Sequence, residues 1–211
     1  MNESQLREQI AELGKSLYDR GLAHGAAGNI SVKLADGSFL LTPTNSCLGR
    51  LDPARISKLD GNGKLVSGDP PSKESFLHLA MYRERAQSEA VVHLHSLHAV
   101  AVSCLADINP VDVFPPITAY AIMQVGKLAL VPYYPPGDQS LADAVRKLAG
   151  KHHAVLLANH GPVVAGTSLD AAVNAIEELE QTAHLMLLLH GRPTRLLTAE
   201  QVAELNRRFS S

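Results

Sequence analysis

The chain has 211 residues, 45% of them apolar and 19% charged, which suits one soluble globular domain with a full core, expected to span 1–211. Lys and Arg number 19 against 21 Asp and Glu, for a formal net charge of −2, and no basic block occurs; together with the absence of Trp this disfavours a nucleic-acid partner. No apolar run is long enough to cross a bilayer, so no membrane partner is expected.

The N-terminal stretch MNESQLREQIAELGKSL lacks the basic and apolar regions of a signal peptide, so a cytoplasmic location is expected. Leu6, Ile10, Leu13 and Leu17 share one face of a predicted helix over 4–20, with Ser4 as its cap and Gly21 as its stop. Ile30, Val32 and Leu34 then alternate with polar neighbours, and Asp36-Gly37 signals a hairpin turn between two strands. A second turn, DGNGK, lies at 60–64. SGDPPSKE at 67–74 reads as a loop opening a helix through about Arg85, with Ser72 as candidate cap. VVHLH is a strand, and 100–105 continues as a helix. NPVDVFPPITAY is proline-rich and irregular, and LALVPYYPPG is a short strand closed by a loop. Residues 140–148 form a helix. AVLLANHGPVVAG is a strand, a polar break and a second strand. The longest amphipathic helix covers 168–190, and a last one starts near Thr198 with a capping-box pattern. This order predicts an α/β sandwich, one mixed sheet flanked by helices.

VVHLHSLHAV puts imidazoles in an apolar strand. Side chains alternate along a strand, so His93 and His95 point the same way, roughly 7 Å apart along the chain. That spacing suits two ligands of one ion. His160, where the apolar run of LLANHGPVV halts, is the candidate third nitrogen ligand. Three neutral imidazoles leave a divalent cation its full charge and an open position, which suits stabilising an oxyanion. His98 falls off the alternation. His24, His152, His153, His184 and His190 read as surface or packing residues. His78, four residues after Glu74, fits either a ligand or a packing role. Leu97 stands where a metallo-β-lactamase motif needs Asp, and a barrel hydrolase needs about 250 residues. Cys47 and Cys104 have no metal-type spacing and read as free thiols.

Three polar loops could cradle an anion. They are AGNIS with Gly28 and Asn29, TPTNS with Thr44 and Asn45, and PPSKE with Ser72 and Lys73 at a predicted helix start. Glu74 fits a first-turn acid favoured by the helix dipole, or a general acid/base beside a metal.

AGNIS, LLTPTN, PSKE, VVHLHSLHAVAVS and LLANHGPVV, in this order over about 5–205, resemble the class II aldolase/adducin family. The resemblance implies a class II aldolase-like fold, with a single domain and a largely antiparallel central sheet. It implies that His93, His95 and His160 bind Zn2+ or another divalent ion such as Mn2+ or Co2+, and that Glu74 is the catalytic acid/base. It places substrate phosphate on Gly28, Asn29, Thr44, Asn45, Ser72 and Lys73, and implies a fourfold-symmetric homotetramer with sites at subunit interfaces. NSCLGRLDP, SGDPPSKE and VPYYPPGD are most similar to the 3-oxo-tetronate 4-phosphate decarboxylases of sugar-acid catabolism. The expected reaction is loss of carbon dioxide from such a substrate to give dihydroxyacetone phosphate, through an enediolate with the cation as electron sink. An L-fuculose-phosphate-type aldolase is the alternative. Here it would have Lys73 where aldolases of the family have a second Ser, Asn45 where they have Gly, and a tail, NRRFSS, without their Tyr. Tyr120 is a candidate phenol without a predicted position. Family epimerases carry Asp in place of Glu74. A non-catalytic adducin-head-like binding module would lack the three histidines.

Overall fold

The structure, a computed structural model, describes residues 1–135 and 137–209. Its strands are β1 (Asn29–Lys33), β2 (Phe39–Leu41), β3 (Ser57–Leu59), β4 (Leu65–Ser67), β5 (Ala90–His93), β6 (Ala129–Val131), β7 (Ala154–Leu157) and β8 (Gly161–Gly166). They lie in one sheet in the order β4-β3-β2-β1-β5-β8-β7-β6, with β6–β7 parallel and every other neighbouring pair antiparallel. The helices are α1 (Glu3–Asp19), α2 (Ser75–Glu84), α3 (Leu97–Ser103), α4 (Ser140–Ala149), α5 (Leu169–Leu189) and α6 (Ala199–Phe209). The expected sandwich, with a mixed and largely antiparallel sheet, is the one that forms. No helix among the described residues is long and apolar enough to cross a membrane.

Alternation along the strands sorts the core into two layers. On one face Ile30, Val32, Val92, Leu94, Leu156 and Val164 pack with Ile10 and Leu17 of α1 and Ile176 and Leu179 of α5. On the other, Val91, Val155, Leu157 and Val163 pack with Leu77 and Met81 of α2 and Leu141 and Val145 of α4. The central strand β5 is buried on both faces, as its apolar run requires. His93 alternates with Val92, so it points toward the layer of α2 and α4.

Several boundaries move for identifiable reasons. The cap of α1 is Asn2, not Ser4: Asn2 and Gln5 exchange side-chain and backbone hydrogen bonds in a capping box, leaving Ser4 in the first turn. Helix α2 starts at Ser75, and Ser72 does not cap it. The Ser72 N–H donates to the Thr42 carbonyl, tying that residue to the neighbouring strand extension, and its Oγ accepts from the Glu74 N–H. Helix α3 begins at Leu97 rather than near 100 because the Glu180 carboxylate, reaching across from α5, accepts the N–H groups of His98 and Ala99. The strand predicted to run through His95 ends at His93. Within the proline-rich middle, Ala121–Val125 forms a π-helical turn that no periodicity announced. The capping box at Thr198 and Gln201 forms as expected. The loop predicted after β6 includes residue 136, and the tail NRRFSS includes 210 and 211; these positions lie outside the described residues. Both cysteines are free thiols.

Candidate metal centre

β7 and β8 pair with Leu157 opposite Gly161, which leaves a three-residue loop of Ala158, Asn159 and His160. Asn159 takes the left-handed conformation that such a loop needs, at φ 56. Gly161 follows with its Cα pressed against β5, where a Cβ would collide with the Leu94 carbonyl oxygen. That close approach brings His160 over His93 and His95.

The three rings meet edge to face, with centroids 4.6–4.9 Å apart. The Nε2 of His95 lies 3.0 Å from the Nε2 of His93 and 3.0 Å from that of His160. Glu74 completes the group: its Oε1 is 3.1 Å from His160 Nε2 and its Oε2 3.5 Å from His93 Nε2. All four ligand atoms lie within 4.8 Å of one another, the one grouping of its kind among the described residues.

The donor set fits a cation. His93 is fully buried, and its Nδ1–H donates to the Pro162 carbonyl at 2.8 Å, so its Nε2 carries a bare lone pair. Burial pushes the His93 imidazole down to about 4, and His95 is lowered by burial and by the neighbouring His160. Both rings are therefore neutral near pH 7, the state in which imidazole binds metal. Nitrogens on a tetrahedral ion with bonds of about 2.0–2.1 Å sit about 3.3 Å apart, close to the spacing found here. Burial opposes ionisation of Glu74, but the hydrogen bonds from His160 and Asn29, joined by the His93 charge in acid where that ring is protonated, outweigh it. They hold the carboxyl well below the usual range.

Glu74 occupies the position just before α2 but makes no capping bond. Its carboxylate turns instead to the imidazoles and accepts from Asn29 Nδ2 at 2.8 Å. The reading as a simple helix-dipole partner therefore fails on geometry. His78 is not among the converging ligands, since both its ring nitrogens are engaged elsewhere, with Ser31 and Asn29. His98 bonds Glu180 and stacks on His184, a structural contact.

The polar loops are partly assembled. Segments 42–45 and 70–72 lie side by side, joined by the Thr44 N–H to the Pro70 carbonyl and by a Pro43–Pro71 bridge. Thr44 and Asn45 line a cavity of about 330 Å3 together with Ser46, Arg50 and Arg55. Ser72 is buried against Glu74, and Lys73 is exposed. Gly28, at φ 88, packs against the His93 carbonyl, so its first role is close approach to β5. Tyr120 lines a different cavity, with His98 and His184.

A cavity of about 600 Å3 opens onto Glu74, His95 and His160 and is lined as well by His24, Tyr133, Tyr134 and Asn159. Sequence reasoning missed these four. His24 reads from the sequence as a surface or packing residue, and nothing local to VPYYPPGD shows that its tyrosines reach the histidines.

The profile of the Class II Aldolase and Adducin N-terminal domain matches residues 8–187. The chain is 51% identical over 203 residues to the 3-oxo-tetronate 4-phosphate decarboxylase of Escherichia coli K12, covering 96% of each chain. It is 46% identical over 210 residues to the Haemophilus influenzae decarboxylase of the same name, covering 99% of each. The L-fuculose phosphate aldolase of Haemophilus influenzae is 34% identical over 204 residues, covering 96% of this chain and 92% of that one. Among solved structures, Escherichia coli YgbL superposes with a TM-score of 0.95 at 50% identity, covering 96% of this chain and 98% of the other.

Proposed function

Because the chain belongs to the class II aldolase and adducin family, we propose that it converts a 3-oxo-tetronate 4-phosphate to dihydroxyacetone phosphate and carbon dioxide. It is a lyase. His93, His95 and His160 hold a divalent metal, zinc in our reading, and Glu74 is the acid/base. The observation that carries this is the convergence of three imidazole Nε2 atoms and one carboxylate on a single point beside an open cavity.

When bound, the cation supplies a Lewis acid that draws off the electron pair left on the substrate by the breaking carbon–carbon bond. The protein's own groups do the rest. The Pro162 carbonyl fixes the ring of His93, and Gly161 fixes the approach of His160. Thr44, Asn45, Ser72 and Lys73, with Gly28 and Asn29, orient the phosphate end. The C1–C2 bond breaks, C1 leaves as carbon dioxide, and C2 gains a proton drawn from solvent and passed on by Glu74 or by a water that Glu74 holds. Tyr133 and Tyr134 line the cavity onto which Glu74, His95 and His160 open.

An aldolase uses the same groups up to the leaving fragment, which is why relatives of both kinds share this fold. The decisive experiment loads the protein with zinc and offers it 3-oxo-tetronate 4-phosphate, and separately dihydroxyacetone phosphate with short aldehydes. Carbon dioxide release from the first supports the decarboxylase; condensation in the second alone moves the assignment to the aldolase. No turnover of either by the zinc-loaded protein removes both assignments.

The chain works as one domain and as a cytoplasmic homotetramer in this reading. Leu97, Tyr120 and Tyr133 are apolar or aromatic, stand more than half exposed and border the cavity at His95 and His160 or the one at His98 and His184, where a neighbouring subunit would cover them. Light scattering that gives a monomer at working concentration excludes the tetramer.

A further inference from the structure

Beneath Glu74 runs a buried line of polar side chains. The Tyr82 hydroxyl meets Ser31 Oγ at 2.8 Å, and Ser31 Oγ meets His78 Nδ1 at 2.7 Å. His78 Nε2 meets Asn29 Oδ1 at 2.5 Å, and Asn29 Nδ2 donates to Glu74 Oε2 at 2.8 Å. Asn29, Ser31, His78 and Tyr82 are all at most 6% exposed, so none of them has bulk water as a substitute partner.

Proton accounting gives this line one direction. An ionised carboxylate only accepts, so Asn29 must turn its NH2 to Glu74 and its oxygen to His78. That oxygen needs a donor, so His78 carries its proton on Nε2. A neutral ring then has a bare Nδ1, which accepts from the Ser31 hydroxyl, whose oxygen in turn accepts from Tyr82. Burial keeps the His78 ring neutral by pushing it down to about 3. The opposite tautomer would set a bare nitrogen against the Asn29 oxygen, favour a flip of the amide, and aim that oxygen at the carboxylate. Backbone register locks the line in place: Asn29 pairs with His93 and Ser31 with Val91 across β1 and β5, so both side chains share the face that α2 covers.

We propose that His78 is a positioning residue for the reaction: acting through Asn29, it fixes the Glu74 carboxylate against the three histidines. Asn29 is thereby committed chiefly to Glu74, with one amide N–H left for substrate. This rests on the acid/base reading of Glu74, and the test separates the two.

His78→Phe keeps a ring of similar size and removes the donor. His78→Gln restores an N–H near the Nε2 position. With bound zinc checked by elemental analysis, H78F is expected to lower kcat about 10–100-fold at nearly constant KM, the usual scale for a group that orients the residues around a metal. H78Q is expected to recover most of that loss. N29A combined with H78F is expected to be no worse than the poorer single variant, because both break the same line. A wild-type kcat in H78F, or losses that simply multiply in the double variant, overturns the proposal. A readout independent of turnover is the Asn29 side-chain amide in 15N NMR spectra. The proton bonded to Glu74 is expected to be protected from exchange in the wild-type protein and exposed in H78F; equal protection in both overturns the proposal. If Glu74→Gln were fully active, the acid/base reading would fail, while this NMR comparison would still judge the link between His78 and Asn29.

Discussion

His93, His95 and His160 bring their Nε2 atoms together, that of His95 lying 3.0 Å from each of the other two. Removing one ring leaves two ligands for the ion, so His160→Ala is expected to lose bound zinc and activity together. The far-ultraviolet circular dichroism should stay native, because His160 sits in the loop between β7 and β8 rather than in a strand or helix. Full zinc occupancy in that variant would remove the ligand assignment. Glu74 poses a different question, since it touches the same point without being needed to close it. Glu74→Gln keeps the shape, leaves the three nitrogens in place and removes the proton-transfer group. Zinc content is expected to be unchanged while turnover falls roughly 10²–10⁴-fold, the scale of a lost acid/base group. Turnover at the wild-type level would end that role.

At the scale of elements, the site depends on backbones that come unusually close. A Cβ at Gly161 would collide with the Leu94 carbonyl oxygen just past β5, and Gly28, just before β1, has only tight room beside the His93 carbonyl. Gly161→Ala is therefore expected to push β8 away from Leu94. It should cost about 1–3 kcal/mol in urea denaturation and weaken zinc binding through the displaced His160 next to it. A variant with native stability and affinity would show that the approach is slack.

Much of this arrangement can be read in the sequence because its cause is local. The face of α5, the Thr198 capping box and the halt of an apolar run at Asn-His-Gly each depend on neighbours a few residues away. The convergence of His93, His95 and His160 was also legible, since a strand alternation and a hairpin break both bear polar groups where only apolar ones belong. What stayed hidden has non-local causes. Helix α3 begins at Leu97 because Glu180, on a helix far along the chain, supplies its acceptors. The three-residue strands β3 and β4 show too little pattern to separate them from their turn. His24, Tyr133 and Tyr134 enter the cavity through tertiary packing alone, and the tie from His78 to Glu74 passes through a residue on β1 whose register no single segment encodes.

Over the whole molecule, the same buried rings that prepare the site set its response to acid. His93 is pushed down to about 4 and His78 to about 3, both chiefly by burial, and burial also lowers His153. Unfolding releases these imidazoles to an ordinary value of 6.5, so the unfolded chain binds more protons than the native one below that pH. Their contribution is thus fully present above pH 6.5 and is lost as pH falls toward their native values. Glu74, held ionised in the fold, adds a loss in the same direction once pH drops below its ordinary 4.5. For metal-free protein, each of His78 and His93 is expected to remove about 2 kcal/mol between pH 6.5 and pH 5, read as a fall in the urea midpoint at constant slope. A metal ion that binds only neutral imidazoles raises stability at neutral pH and is itself displaced by protons. The zinc-loaded protein should therefore start higher and fall more steeply over the same interval. Parallel midpoints with and without zinc from pH 7 to pH 5 would mean that the ion does not sit on these rings.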